Sequence, residues 1–299
     1  MKVLVTGGAG FIGTNLIERL INDGHEVESI DNFYTGKREN KHDLCKYHEV
    51  DLRSDGAFDN VGEVDVIFHL AALARIQPSF TEPTETIDTN QLGTQRVMEW
   101  ARNNDVSVVY AGSSSAHGDL YSNPYTFSKW QGEEIVKLYN KVFNVQSAIC
   151  RFYNVYGPHQ LVDGPYCTVI GIFEELYKKS QPLTPTWDGE QRRDFTHVYD
   201  IVDGLIKCSE ALLSGENSQV NGEIFELGSG VNYSINQFCD MFGKDYPREP
   251  LPKRDGEMRE TLCDTKPAYD IIGYKPKMNL EKYIKDLVET EIIKRGYDF

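Results

Sequence analysis

Lys2-Val3-Leu4-Val5-Thr6-Gly7-Gly8-Ala9-Gly10-Phe11-Ile12-Gly13 decides the fold. The valine-rich run up to Thr6 has the pattern of a short buried strand. Glycines follow in two overlapping registers, Gly7, Gly10 and Gly13, or Gly8, Gly10 and Gly13. Such a turn lets backbone approach a pyrophosphate closely, and the helix after it offers its N-terminal amides to the phosphate charge. Thr14 to Leu20 supplies the helix, with Phe11, Leu16, Ile17 and Leu20 apolar, and Gly24 ends it. Val27 to Ile30 reads as the second strand. It ends on Asp31, 18 residues past Gly13, where an acid accepts the ribose hydroxyls of NAD and repels the 2′-phosphate of NADP. Lys37 and Arg38 keep NADP open, because they stand where they could approach such a phosphate.

Working outward, strand and helix patterns alternate. Tyr47 to Val50 leads into Asp51-Leu52, and Val64 to Leu70 carries His69-Leu70-Ala71-Ala72 at its end. The small alanines let a cofactor ribose come close, and His69 reads as a packed or hydrogen-bonded strand-end residue. Thr86 to Asn103 is a helix containing Asn90, a candidate polar link to the active site, and Val106 to Ala111 is the strand that delivers Ser113. This alternation predicts an α/β fold with a doubly wound parallel sheet, whose ligands sit beyond the carboxyl ends of the strands. The glycine turn, Asp31, Asp51, Ala71, Ala72 and Ser113 all fall there.

The chemistry concentrates in residues 110–129. Ser113-Ser114-Ser115 ends an apolar run, and Tyr125-Thr126-Phe127-Ser128-Lys129 opens a helix. Tyr125 and Lys129 share a helical face. An ammonium beside a phenol lowers its pKa, and a Ser113 hydroxyl beside both could hold a substrate oxygen. This is a general-base arrangement for an alcohol proton.

Composition limits the alternatives. The 299 residues carry 46 acidic and 31 basic side chains, net −15, which argues against nucleic acid or an anionic membrane as partner. The six cysteines are scattered without a C-x-x-C spacing, so reduced thiols in a cytoplasmic setting are expected. No histidine spacing suggests a metal, no apolar run reaches the roughly 18 residues of a membrane span, and the N-terminus lacks the layout of a secretion signal.

Beyond Val145 to Cys150, a further strand, come Asn154, a helix from Val169 to Lys179, and Arg192-Arg193-Asp194 before a strand-like Phe195 to Val198. A guanidinium at Arg193 suits a phosphate fork. Ile201 to Leu213 is a helix, Glu223 to Leu227 a strand, and the tail is helix and loop.

These residues resemble the extended short-chain dehydrogenase/reductase family, specifically its nucleotide-sugar epimerases. The markers are the glycine turn, Asp31-Asn32-Phe33, Asp51-Leu52, His69-Leu70-Ala71-Ala72, Asn90 with Gly93-Thr94, Tyr125-x-x-x-Lys129, the run Arg151 to Pro158 and the run Arg193 to Val198. The resemblance implies a Rossmann domain over residues 1–165, with 195–228 returning to it, and a smaller C-terminal α/β substrate-binding domain from 166–194 and 229–299. It implies NAD held by Gly7, Gly10, Phe11, Ile12, Gly13, Asp31, Asn32, Asp51, Leu52, Leu70, Ala71, Ala72, Asn90, Tyr125 and Lys129. Tyr125 is the implied base for a sugar 4-hydroxyl, Lys129 lowers its pKa and holds the nicotinamide ribose, and Ser113 binds the reacting oxygen.

For the substrate, a UDP-sugar, the resemblance implies Ser114, Ser115, Asn154, Arg193, Arg254, Glu257 and Thr261. Glu257 stands where the family usually has Asp. Family dehydratases and decarboxylases carry an acid just after Ser113; here Ser114 and Ser115 stand instead, and neither is an acid near neutral pH. That favours 4-epimerisation over a dehydratase, a decarboxylase or an NADP-dependent reductase. Thr261, together with Ala71-Ala72-Leu73, resembles the UDP-N-acetylhexosamine 4-epimerases. UDP-glucose and UDP-glucuronate 4-epimerases stay open, as does a non-catalytic sensor. Only six residues separate Gly118 from Tyr125, shorter than usual for the family. A homodimer pairing the helices at Thr86–Asn103 and Pro124–Phe143 is also implied.

Overall fold

The computed structural model describes residues 1–215 and 219–296. Seven parallel strands form the main sheet in the order β10-β6-β5-β4-β1-β2-β3. They are β1 (Lys2–Thr6), β2 (Glu26–Asp31), β3 (Lys46–Glu49), β4 (Val66–His69), β5 (Ser107–Ser113), β6 (Ser147–Phe152) and β10 (Ile224–Leu227). Between them run α1 (Phe11–Asn22), α2 (Ile76–Thr81), α3 (Pro83–Ile87), α4 (Gly93–Asn104), α5 (Pro124–Phe143), α6 (Val169–Lys178) and α7 (Val198–Leu213). The order reverses between β1 and β4, so a crevice opens over the glycine turn at the strands' carboxyl ends.

Both sheet faces are covered, which is why β1, β4 and β5 read as continuous apolar runs. One core layer packs Leu16, Ile17 and Leu20 of α1 with Ile201, Val202 and Leu205 of α7. The other packs Val97 and Met98 of α4 with Val136 and Tyr139 of α5. Each fully buried side chain of this size contributes about 1.5–3 kcal/mol. A third cluster lies apart from the sheet and joins α6, α8 (Ile235–Asp240) and α10 (Leu280–Lys294). There Phe173 and Phe238 stack with ring centroids 5.3 Å apart.

Three departures from the expected elements matter for the site. The helix expected over Thr86–Asn103 is α3, a π-helical turn at Asp88–Leu92, and α4. The wide turn places Asn90 in the interior, where it accepts from Leu73 N–H (2.8 Å) and donates to Leu73 O (3.1 Å) and Ser128 Oγ (2.9 Å). Next, Arg192–Asp194 is itself a strand, β8, pairing antiparallel with β11 (Asn232–Ser234), while β9 (Thr196–His197) pairs with β7 (Val155–Tyr156). The break follows from Asp194, whose fully buried carboxylate accepts from Ser229 N–H, Gly230 N–H and Cys263 N–H at 2.8–3.1 Å. It pins the tail to the sheet end.

The third departure is at the short segment before α5. Asn123 caps α5 through Thr126 N–H (2.8 Å) and also reaches Gly256 O (3.5 Å), while Gln77 donates to Asp255 O (3.0 Å). The tail stretch at 254–258 therefore lies directly on the shortened segment. α9 (Lys266–Ile272) then returns the chain to the sheet, its Ala268 and Ile272 packing in the first core layer.

Candidate active site

A cavity of about 1180 Å³ runs from the glycine turn to the C-terminal third of the chain. Of the expected site residues, all but Asn90 line it. Asn90, expected as a polar link to the active site, is placed one layer back from it. It sits behind the wall, fully buried, and fixes the Leu73 backbone and Ser128.

At the glycine end, Gly7 has φ +74°, and a Cβ there would sit 2.9 Å from Ala71 Cα. A Cβ on Gly13 would collide with Gly7 O and lie 2.7 Å from Gly8 Cα. α1 begins at Phe11 with Gly10 as a cap that offers no side chain. The amides of Phe11, Ile12 and Gly13 therefore have no intrahelical acceptor and face the cavity, a cradle that fits a diphosphate. Asp31, buried at the end of β2, accepts from Ala9 N–H (2.9 Å) and Phe33 N–H (2.7 Å). Its carboxylate is thus held rigidly at the cavity wall. Arg38 pairs with Glu49 at the surface and packs over Phe33 at 4.5 Å. Asp51 accepts from Asn32 Nδ2 (3.0 Å) and pairs with Arg53, which holds its carboxyl down at about 2.

His69 sets the floor between β1 and β4. Thr94 donates its hydroxyl to Asn90 O (2.6 Å), so Thr94 Oγ1 accepts from His69 Nε2–H (3.0 Å). Nδ1 then accepts from the Thr6 hydroxyl (2.7 Å), which in turn accepts from Ala71 N–H (3.2 Å). The ring is neutral, its pKa pushed down to about 3 by burial and by the Lys129 charge. This agrees with a hydrogen-bonded strand-end histidine, and it orients Ala71 at the cavity wall.

At the reacting end, Ser113 Oγ lies 3.1 Å from Tyr125 OH and 2.9 Å from Ser115 Oγ. Lys129 does not reach the phenol. Its Nζ donates to Ala111 O (2.6 Å) and Tyr110 OH (2.9 Å). Burial lowers its pKa to about 8, with the Glu133 charge opposing. Tyr125 is accordingly raised above its ordinary value by burial, opposed by the Ser113 hydrogen bond and the Arg75 charge. The expected lowering of the phenol by Lys129 is thus absent from this geometry. Behind Ser113, Glu133 is fully buried, accepts from Ser113 N–H (3.4 Å), and pairs with Arg151 at 2.6 Å; Arg151 also reaches Glu226 (3.2 Å), which holds His117 (2.8 Å).

At the far end, Asn154, at φ +29°, donates to Asp194 O (2.8 Å) and Thr261 Oγ1 (3.3 Å). Glu257 stands between two guanidiniums, Arg193 at 3.6 Å and Arg254 at 4.0 Å. Two arginines converging on one carboxylate form a place that suits a diphosphate. Sequence reasoning missed Arg75, Tyr110, Glu133 and Tyr166. Arg75 and Tyr166 lie in irregular stretches, and the partners of Lys129 are set by side-chain direction, which spacing does not reveal.

The model of the NAD-dependent epimerase/dehydratase family matches residues 3–228. A Methanocaldococcus jannaschii protein provisionally assigned as a UDP-glucose 4-epimerase is 32% identical over 306 residues, spanning 96% of this chain and 97% of that one. The Thermotoga maritima UDP-glucose 4-epimerase structure with UDP-glucose superposes with a TM-score of 0.87 at 28% identity, covering 99% of this chain and 100% of that one. The Bacillus cereus UDP-glucuronic acid 4-epimerase, solved with UDP-glucuronic acid and NAD, gives 0.85 at 26% identity with 99% and 100% coverage. The glycine turn with its free helix amides, the buried acid at the end of β2 and the serine–tyrosine pair at the sheet's carboxyl edge agree with this kinship: the chain belongs to the NAD-dependent epimerase/dehydratase family.

Proposed function

We propose that the protein is a UDP-sugar 4-epimerase acting through a transient 4-keto sugar. The observation that carries this reading is Ser113 Oγ at 3.1 Å from Tyr125 OH, with only hydroxyls, Ser114 and Ser115, following Ser113 along the cavity wall. Dehydration and decarboxylation need a further proton donor beside the sugar. The cavity's carboxylates are engaged elsewhere: Asp31 with backbone amides, Asp51 and Glu85 with Arg53, Glu82 with the Tyr34 hydroxyl, and Glu257 with Arg193 and Arg254.

In this reading Phe11, Ile12, Gly13, Asp31 and Asn32 hold NAD, with Leu52, Leu70, Ala71 and Ala72 against its ribose and adenine. Bound there, NAD would supply the reversible hydride acceptor that oxidation and re-reduction at C4 of the sugar require. Tyr125 takes the 4-hydroxyl proton and gives it back, Ser113 holds the reacting oxygen, and Ser115 supports Ser113. Lys129, held by Ala111 O and Tyr110 OH beside them, is the cation of the set. Arg193 and Arg254 grip the diphosphate, with Asn154 beside them. Residues 166–194 and 229–299 are read as the substrate-binding half, a division supported by the third hydrophobic cluster, which lies apart from the sheet.

The preferred sugars are UDP-GlcNAc/UDP-GalNAc or UDP-glucose/UDP-galactose, with Thr261 setting the room beside the ring; UDP-glucuronate is the alternative. The enzyme works in the cytoplasm as a homodimer through α4 and α5, a reading supported by the exposed Leu138 and Val142 on α5. The test is proton NMR of each UDP-sugar with the purified protein. A C4-epimer signal without net NADH supports the reading, and release of water or CO2 refutes it.

A further inference from the structure

Glu257 stands in a tail stretch whose backbone is held on both sides of it. Before it, Gln77 donates to Asp255 O (3.0 Å) and Asn123 to Gly256 O (3.5 Å). Gly256 has φ +73°, and a Cβ there would lie 3.2–3.3 Å from Asn123, Ile76 and Phe80. After it, Met258 packs so closely on Gly118 that a Cβ on that glycine would lie 3.2 Å from Met258 Sδ. The Glu257 side chain lines the cavity together with Arg193 and Arg254.

Its ion pairs are longer than those of Arg53 on the same cavity. Arg53 meets Asp51 and Glu85 at 2.7 Å each. Glu257 Oε2 stands 3.6 Å from Arg193 Nη2, and Oε1 stands 4.0 Å from Arg254 Nη1. Both separations exceed a hydrogen bond. The carboxylate therefore attracts two guanidiniums without taking up the N–H groups that face it. Arg193 is mostly buried and is placed by backbone: its Nη1 donates to Arg192 O (2.9 Å) and Arg259 O (3.5 Å). Burial disfavours the Arg193 charge, and the Glu257 carboxylate supports it. A diphosphate that takes these two arginines enters a place where a negative charge already stands.

We propose that Glu257 sets how tightly the site holds a diphosphate: its fixed carboxylate, a like charge beside the same two guanidiniums, opposes the incoming phosphates. The inference rests on the reading that Arg193 and Arg254 take the diphosphate of a UDP-sugar. Substrate and product of an epimerase carry the same diphosphate. Binding energy on that shared part lowers KM without speeding the chemistry, and it slows release of the product. The carboxylate limits that energy, while the guanidinium forks still give the diphosphate its orientation.

Glu257→Gln keeps the shape and removes the charge. Glu260→Gln is the control: it makes the same change in net charge three residues on, where the side chain bonds Asn232 (2.8 Å) and does not line the cavity. Calorimetry with UDP, uridine and inorganic pyrophosphate gives the affinities, on protein loaded with NAD so that the glycine turn is occupied. Glu257→Gln should bind UDP and pyrophosphate about tenfold more tightly, the size of one partly screened like-charge contact, with uridine unchanged. Glu260→Gln should match wild type with all three. Weaker binding of UDP and uridine in Glu257→Gln would make Glu257 a nucleoside contact and overturn the proposal. Unchanged affinity for UDP and pyrophosphate, equal gains in both variants, or no binding of either probe to any of the proteins would overturn it as well. Tighter pyrophosphate binding in Glu257→Gln alone upholds it even where no UDP-sugar is epimerised, an outcome that counts against the functional reading only.

Discussion

Replacing Glu133 by Gln tests whether the buried network behind Ser113 governs both stability and the pH response of the site. Glu133 is fully inaccessible. Its Oε2 accepts from Arg151 Nη2 at 2.6 Å, and its Oε1 from Arg151 Nε at 3.1 Å and Ser113 N–H at 3.4 Å. A glutamine can place its oxygen at the short contact, but its NH2 then faces the Arg151 Nε–H and the Ser113 N–H, donor against donor. Breaking a buried pair by removing one partner costs about 3–5 kcal/mol. Arg151 keeps Glu226 at 3.2 Å, so the lower end, about 3 kcal/mol, is expected. The exposed pair Arg19–Asp23 is the control, and Asp23→Asn should cost under about 0.5 kcal/mol. Urea unfolding gives both numbers, with the m-value unchanged. The same variant removes the charge that supports the Lys129 ammonium and opposes the Tyr125 phenolate. Both groups should then titrate lower, and the pH–activity profile should shift to the acid side. A loss of less than about 1 kcal/mol together with an unmoved profile would refute the reasoning.

Other tests address separate parts of the molecule. Gly13→Ala places a Cβ against Gly7 O and 2.7 Å from Gly8 Cα, so the protein should purify without NAD and show no absorbance of bound cofactor on reduction. His69 is held neutral, its pKa lowered from 6.5 to about 3. Below its ordinary pKa only the unfolded state takes the proton, so the stability it contributes is present above pH 6.5 and is lost as pH falls toward 3. His69→Gln should flatten that acid slope in urea-denaturation midpoints. Thr261→Tyr should lose N-acetylated substrate before plain UDP-glucose in kcat/KM, and equal loss of both would remove Thr261 from the account of specificity.

Much of the fold was legible because strand burial and turn chemistry are local. The runs at β1, β4 and β5 are apolar because both faces of the sheet are covered, and Gly7 and Gly13 are required by backbone approach that no side chain permits. Asp31, Ser113 and Tyr125 were legible because they end strands or open a helix, where position follows from the element. What the pattern concealed depends on side-chain direction and on irregular backbone. The π turn at Asp88–Leu92 carries the same residues an α-helix would, yet it turns Asn90 inward to Leu73 and Ser128 and away from the cavity. Lys129 lies at the expected spacing from Tyr125, but the Ala111 carbonyl and the Tyr110 hydroxyl are nearer acceptors in this state. Arg75 follows a strand end in a stretch without periodicity, and only the path of the loop carrying Tyr166 brings it a partner carbonyl. Glu257, expected among the substrate residues, stands between Arg193 and Arg254, a pairing that spacing does not reveal.

The central claim is that one hydride leaves C4 of the sugar and returns to C4 on the other face. A UDP-sugar labelled with deuterium at C4 tests it most directly, followed by mass spectrometry and NMR of the product. The account predicts a C4 epimer that keeps its deuterium at C4, formed without net NADH and abolished in Tyr125→Phe. Deuterium found at C6, or lost to solvent while product forms, would contradict it.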